Sequence, residues 1–140
     1  MKLPYKSVVT LRAALNALEG RDKTVEIKGQ TQVIVKPFKF SGKARLKIAR
    51  NLRAIEPAFQ EYDTARIGLV RELADGEDRV PDVRLAEFNR RHEELLNEAA
   101  AEEVALTKLD EIELNLDDND IPHGALAVLL EHLLSTHGQA

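Results

Sequence analysis

The sequence predicts a mainly α-helical protein with a small β component, an α-helical hairpin or bundle built around one long central helix. Three observations carry that prediction. Ile48, Leu52, Ile55, Phe59, Tyr62, Arg66, Leu69 and Leu73 succeed one another at alternating spacings of four and three residues, the heptad pattern of a helix that buries one stripe. Residues 24–40 change to a period of two and hold a glycine and a proline where a turn and a strand end are needed. Hydrophobic residues make up 44 % of the 140 and aromatics only 4 %, so the core of what reads as a single domain, residues 1–140, is aliphatic.

In chain order, a first helix is predicted over Ser7–Leu18. Val8, Leu11, Leu15 and Leu18 form its stripe, Ser7 its cap and Gly20 its left-handed stop. Val25 and Ile27, then Val33 and Val35, alternate with polar residues on either side of Lys28-Gly29-Gln30-Thr31. They predict a β-hairpin within residues 24–40, with Pro37 ending or edging the second strand and Phe38 and Phe40 continuing the alternation. The long helix opens at Ser41-Gly42. Pro57 lies inside it and clashes with the carbonyl of Arg53, which predicts a kink or restart near Glu56.

Asp75-Gly76-Glu77-Asp78 ends that helix, and Pro81-Asp82 begins the next. Leu85, Phe88, His92, Leu95 and Ala99 carry the third helix from about Val83 to Glu102. Val104, Leu106, Ile112, Leu114 and Leu116 alternate, predicting short strands near residues 104–116. In the loop Asp117-Asp118-Asn119-Asp120, a carboxylate or Asn119 is placed to cap the last helix, with Pro122 in its first turn. Leu126, Leu129, Leu130, Leu133 and Leu134 give that helix a broad apolar face, and residues 135–140 are expected to fray.

The residue types narrow the chemistry. There is no cysteine, which removes disulfides, thiolate metal sites and a cysteine nucleophile and fits a reducing compartment. No stretch approaches the ~20 apolar residues that span a bilayer; the longest is Ala125–Leu130. Arg12 and Asn16 interrupt the only stretch near the N-terminus that resembles a leader. His92, His123, His132 and His137 form no zinc-protease motif. His92 falls on the apolar stripe of the third helix and reads as a partly buried core histidine. The acidic loop with His123 offers oxygen ligands to a hard cation, but Pro122 stands where a calcium loop needs glycine. It reads as a helix-start loop, and no metal is assigned. Ser7, Ser41 and Ser135 lie in no nucleophile elbow. The chain reads as non-enzymatic, with no catalytic residue and no cofactor.

Charge is the strongest remaining signal. Residues 1–55 hold 13 Lys+Arg against 3 Asp+Glu, and residues 56–140 hold 7 against 21. Lys43, Lys47, Arg50 and Arg53 fall on overlapping faces of the start of the long helix, the candidate partner- or phosphate-binding residues. They can follow a nucleic-acid backbone, or meet the acidic half of this chain or of another copy. The second reading ranks ahead, because the acidic half would repel a phosphate backbone.

Lys47-Ile48-Ala49-Arg50-Asn51-Leu52-Arg53-Ala54-Ile55-Glu56, running into Glu61-Tyr62-Asp63-Thr64-Ala65-Arg66, resembles the central helix of a family of small tailed-bacteriophage proteins. Glu87-Phe88-Asn89 with Glu93-Glu94-Leu95-Leu96 is similar to that family's second long helix. Ile112-Glu113-Leu114 before an apolar helix is similar to its end. The resemblance covers roughly residues 40–134; the segment Thr24–Phe40 and Ala99-Ala100-Ala101 depart from it. It implies a small helical fold, a phage origin, and a place in the host cytoplasm or the virion, and it carries no active site. The expected function is a self-associating interaction protein, a virion component or assembly factor. The alternatives are an inhibitor of a host defence system that binds a protein or nucleotide through the basic patch, and a nucleic-acid-binding accessory protein.

Overall fold

The buried stripe of the first helix organises its start and its end. In the computed structural model α1 spans Tyr5–Ala17, and Val8, Leu11, Leu15 and Leu18 are all buried. It begins ahead of Ser7 because the Pro4 carbonyl accepts the N–H groups of Ser7 and Val8 at 2.9 and 3.1 Å. Gly20 does not serve as its left-handed stop. It opens β1, where a Cβ would collide with the Lys36 carbonyl oxygen; the glycine is needed for the close approach of two strands.

β1 (Gly20–Ile27) and β2 (Gln30–Pro37) pair antiparallel, from Gly20 opposite Pro37 to Ile27 opposite Gln30. Lys28 and Gly29 both take positive φ, 53° and 77°, the two-residue turn whose twist matches the flanking strands. The hairpin thus begins earlier than its sequence alternation, and Pro37 ends it as predicted. Phe38 and Phe40 lie beyond the strand, their rings edge to face at 6.0 Å.

α2 spans Gly42–Ala74 and runs through Pro57 without a restart. The Ser41 hydroxyl caps it by accepting the Ala44 N–H at 3.1 Å. Ala44, Asn51, Ile55, Ala58, Tyr62, Leu69 and Leu73 are buried along it, while Ile48, Leu52, Phe59 and Arg66 are half-buried.

The structure describes residues 2–110 and 113–135, apart from the side chains of 21–23 and 134–135. Ile112 and the tail 136–140, expected as strand and frayed end, lie outside the described residues. The chain divides into two compact units, Met1–Val9 with Ile55–Ala105, and Thr10–Ala54 with Leu106–Ala140. Four helices and a small antiparallel hairpin among the described residues make the fold mainly α with a small β component.

In the first unit, the C-terminal half of α2 packs against α3 (Leu85–Asn97), which follows a 3₁₀ turn at Asp82–Arg84. Arg84 reaches the Leu73 carbonyl, Arg91 reaches Glu72, and His92 meets Tyr62, the order of an antiparallel helical pair. α3 stops at Asn97, short of the predicted Glu102. Residues 98–100 are captured instead by the chain start: Tyr5 N–H donates to Glu98 O and Ala100 N–H to Leu3 O, both at 2.8 Å, bridging Pro4 and Ala99.

In the second unit, α4 spans His123–His132. Pro122 stands at its N-cap and no side chain caps it, contrary to the expected carboxylate or Asn119 cap. The predicted strands reduce to β3, Leu109–Asp110, parallel to β4, Leu134–Ser135. Val104 and Leu106 lie outside any strand, and Leu114 and Leu116 lie in turns.

Candidate interaction surface

The basic start of α2 meets the acidic half of its own unit. Lys47 Nζ lies 2.7 Å from Glu113 Oε1, and the same oxygen accepts the Asp110 N–H at 3.2 Å. The Lys47 hydrogen bond holds the Glu113 carboxyl below its ordinary value, helped by the Asp110 N–H and the nearby Lys43 charge and opposed by partial burial. Arg45 is tied to the Phe38 carbonyl at 2.9 Å. Lys43, Arg50 and Arg53 are exposed. Of the four predicted basic residues, then, one is paired within the chain and three face solvent.

Two buried asparagines hold this unit together. Asn51 is fully buried. Its Nδ2 donates to Thr107 O at 2.9 Å and its Oδ1 accepts Thr107 N–H at 2.6 Å. Asn119, almost fully buried, accepts Lys39 N–H at 2.7 Å and donates to the carbonyls of Lys39 and Leu114, both at 2.9 Å. Each amide brackets the backbone of one distant residue as a strand neighbour would, satisfying a donor and an acceptor that burial would otherwise leave costly. Sequence reasoning placed Asn119 in an acidic loop and gave Asn51 no role. The available signal was that Asn51 sits four residues before Ile55 and seven after Ala44, on the buried face.

The acidic loop therefore splits. Asn119 turns inward, while Asp117, Asp118 and Asp120 are exposed. Among the described residues no group of three or more ligating side chains gathers as a metal site. A cleft of about 230 Å³ opens beside the same unit's α2, lined chiefly by Leu15, Leu18, Phe40, Ile48, Ala49 and Leu52. This places Ile48 and Leu52, two of the half-buried stripe residues, at an apolar surface.

In the first unit His92 is half-buried, stacked on Phe88 at 5.4 Å and hydrogen-bonded through Nε2 to the Tyr62 hydroxyl at 2.7 Å. Burial raises the Tyr62 hydroxyl. Tyr5 donates to Glu61 Oε1 at 2.6 Å; that bond, with burial and the carboxylate charge, pushes Tyr5 up to about 12. These groups pin α1 and residues 98–101 to α2 within that unit.

No protein-family model, curated protein or solved structure matches this chain.

A continuous exposed apolar run lies on β2. All eight of its residues are exposed, Val33 at 66 %, Ile34 at 43 % and Val35 at 44 %. Among the described residues its sheet has only two strands, so each strand has one open edge. No helix among the described residues is long and apolar enough to cross a membrane.

Proposed function

We propose that this chain is a non-enzymatic interaction protein that self-associates, and that it serves a tailed phage as a virion component or assembly factor. The observation that carries the reading is β2, a strand of Val33-Ile34-Val35 with both faces in solvent and one edge open. An isolated two-stranded hairpin is marginal in water, and an exposed apolar edge is a template for pairing with another chain. The Lys47–Glu113 pair supports the view that opposite charges of this chain complement each other. The resemblance of the α2 segment from Lys47 to Arg66 to a phage helix supports the setting, host cytoplasm or virion.

Size-exclusion chromatography with light scattering should give a mass above that of one chain, and mass spectrometry of purified virions should detect the protein. A strict monomer that brings down no virion or host protein would contradict the reading. The exposure of Lys43, Arg50 and Arg53 favours a second one, a phosphate-bearing ligand such as a nucleotide or nucleic acid. It requires binding that weakens as salt rises and that Arg50→Glu with Arg53→Glu abolishes.

A further inference from the structure

The register of the hairpin shows which backbone groups of β2 are free to pair. The turn Lys28-Gly29 closes on Ile27 and Gln30. In a two-residue hairpin the closing pair exchanges both hydrogen bonds, and the pattern then alternates along the strands. Gln30, Gln32, Ile34 and Lys36 therefore bond to β1. Thr31, Val33 and Val35 turn their N–H and C=O groups outward, and Pro37 turns only a carbonyl outward. A proline fits that last position because its missing N–H faces away from the partner strand.

The two edges of the hairpin differ. In β1, Arg21, Asp22, Lys23 and Glu26 make half the strand charged, the usual guard against edge pairing. In β2 only Lys36 is charged, near one end.

We infer that β2 is a self-pairing edge, and that a second copy of this chain adds its own β2 antiparallel about a two-fold axis at Ile34. Under that axis Ile34 faces its own mate, Val33 faces Val35, and Lys36 faces Gln32. Every apolar residue of the triplet meets an apolar residue, and no like charges are opposed. The outward groups of residues 31, 33, 35 and 37 then supply about six N–H···O=C bonds across the seam. The result is one four-stranded sheet with β1 at each outer edge, and the charged strands close it against further addition. A two-fold contact uses the same patch on both copies and stops at a dimer. This rests on the self-association reading and names its surface.

The test is sedimentation velocity across a range of protein concentrations. Wild type should form a dimer. Val33→Pro removes an outward N–H, which β1 does not use, and should weaken the dimer at least about tenfold. Ile34→Glu and Ile34→Lys each place like charges opposite their own mates, so each should be monomeric alone. Mixed, they should form a one-to-one heterodimer, a result that an unfolded hairpin could not produce. A wild-type dimer unaffected by Val33→Pro, or a mixture of the Ile34 variants that stays monomeric, would overturn the inference while leaving self-association standing. A wild type that is monomeric throughout would overturn both.

Discussion

The hairpin and the asparagine-bracketed segment are both made of backbone that must find hydrogen-bond partners, and they find them in opposite ways. The segment around Thr107 and the backbone of Lys39, just beyond β2, are satisfied inside the unit by Asn51 and Asn119. β2 is satisfied on one edge only and keeps all its residues in solvent. The first arrangement contributes to the unit's own stability. The second adds little to it and leaves a surface for another chain. Mutations should therefore separate cleanly into those that unfold the protein and those that only change its association.

The largest effect belongs to Asn51. Asn51→Ala leaves the N–H and C=O of the half-buried Thr107 without the partners they now have. Full burial would cost about 1–3 kcal/mol for each of the two groups; lowered for the half-burial of Thr107, the loss should be about 2–4 kcal/mol, read by urea unfolding. Val35→Thr on the exposed strand, measured the same way, should cost less than about 0.5 kcal/mol. Equal losses at the two positions would dissolve the distinction.

The Glu113–Lys47 pair sharpens it by pH. The Glu113 carboxyl is lowered in the folded state, first by the Lys47 hydrogen bond. A lowered carboxyl contributes stability that is present above its unfolded value, about 4.3, and is lost as pH falls through the folded value. Wild type should therefore melt above Glu113→Gln at pH 7, and the difference should shrink as pH falls below the unfolded value and through the lowered folded one. The dimer equilibrium should show no matching Glu113-linked change, since β2 has no acidic residue. A gap between the two melting curves that persisted at low pH would remove the ion pair from the account.

The smallest effect is local to the turn. Lys28 holds a left-handed conformation that a long side chain dislikes, and Asn-Gly is the favoured pair there. Lys28→Asn should stabilise the hairpin by about 0.5 kcal/mol or less, seen as slower amide exchange in β1 and β2, with no change in α2 or α4.

What the sequence made legible follows physical range. The stripe Val8-Leu11-Leu15-Leu18, the run from Ile48 to Leu73 and the period of two around Lys28-Gly29 are local patterns, and each maps onto an element. Gly20 was misread because its constraint is the carbonyl of Lys36 on the paired strand, far along the chain, not its own helix. The end of α3 at Asn97 was misread because Leu3 and Tyr5 take the backbone of residues 98 and 100, and no local residue marks that. β3 and β4 hold two residues each, too short for a period. Asn51 had no legible role and Asn119 read as a cap for the last helix, since the partners they bracket lie 56 and 80 positions away. The basic run on α2 was plain, but that Lys47 is the member that meets Glu113, 66 positions away, while Arg50 and Arg53 stay exposed, depends on contacts no local pattern marks.

The most direct measurement is residue-resolved amide hydrogen exchange along β2 at low and high protein concentration. Within the hairpin alone, the N–H groups of Gln32 and Ile34 are bonded to β1, and those of Thr31, Val33 and Val35 face out. Pairing between copies predicts that Thr31, Val33 and Val35 become protected as concentration rises, while Gln32 and Ile34 change little. Exchange at Thr31, Val33 and Val35 that stays fast at every concentration at which the protein is oligomeric would contradict the account and place the association elsewhere.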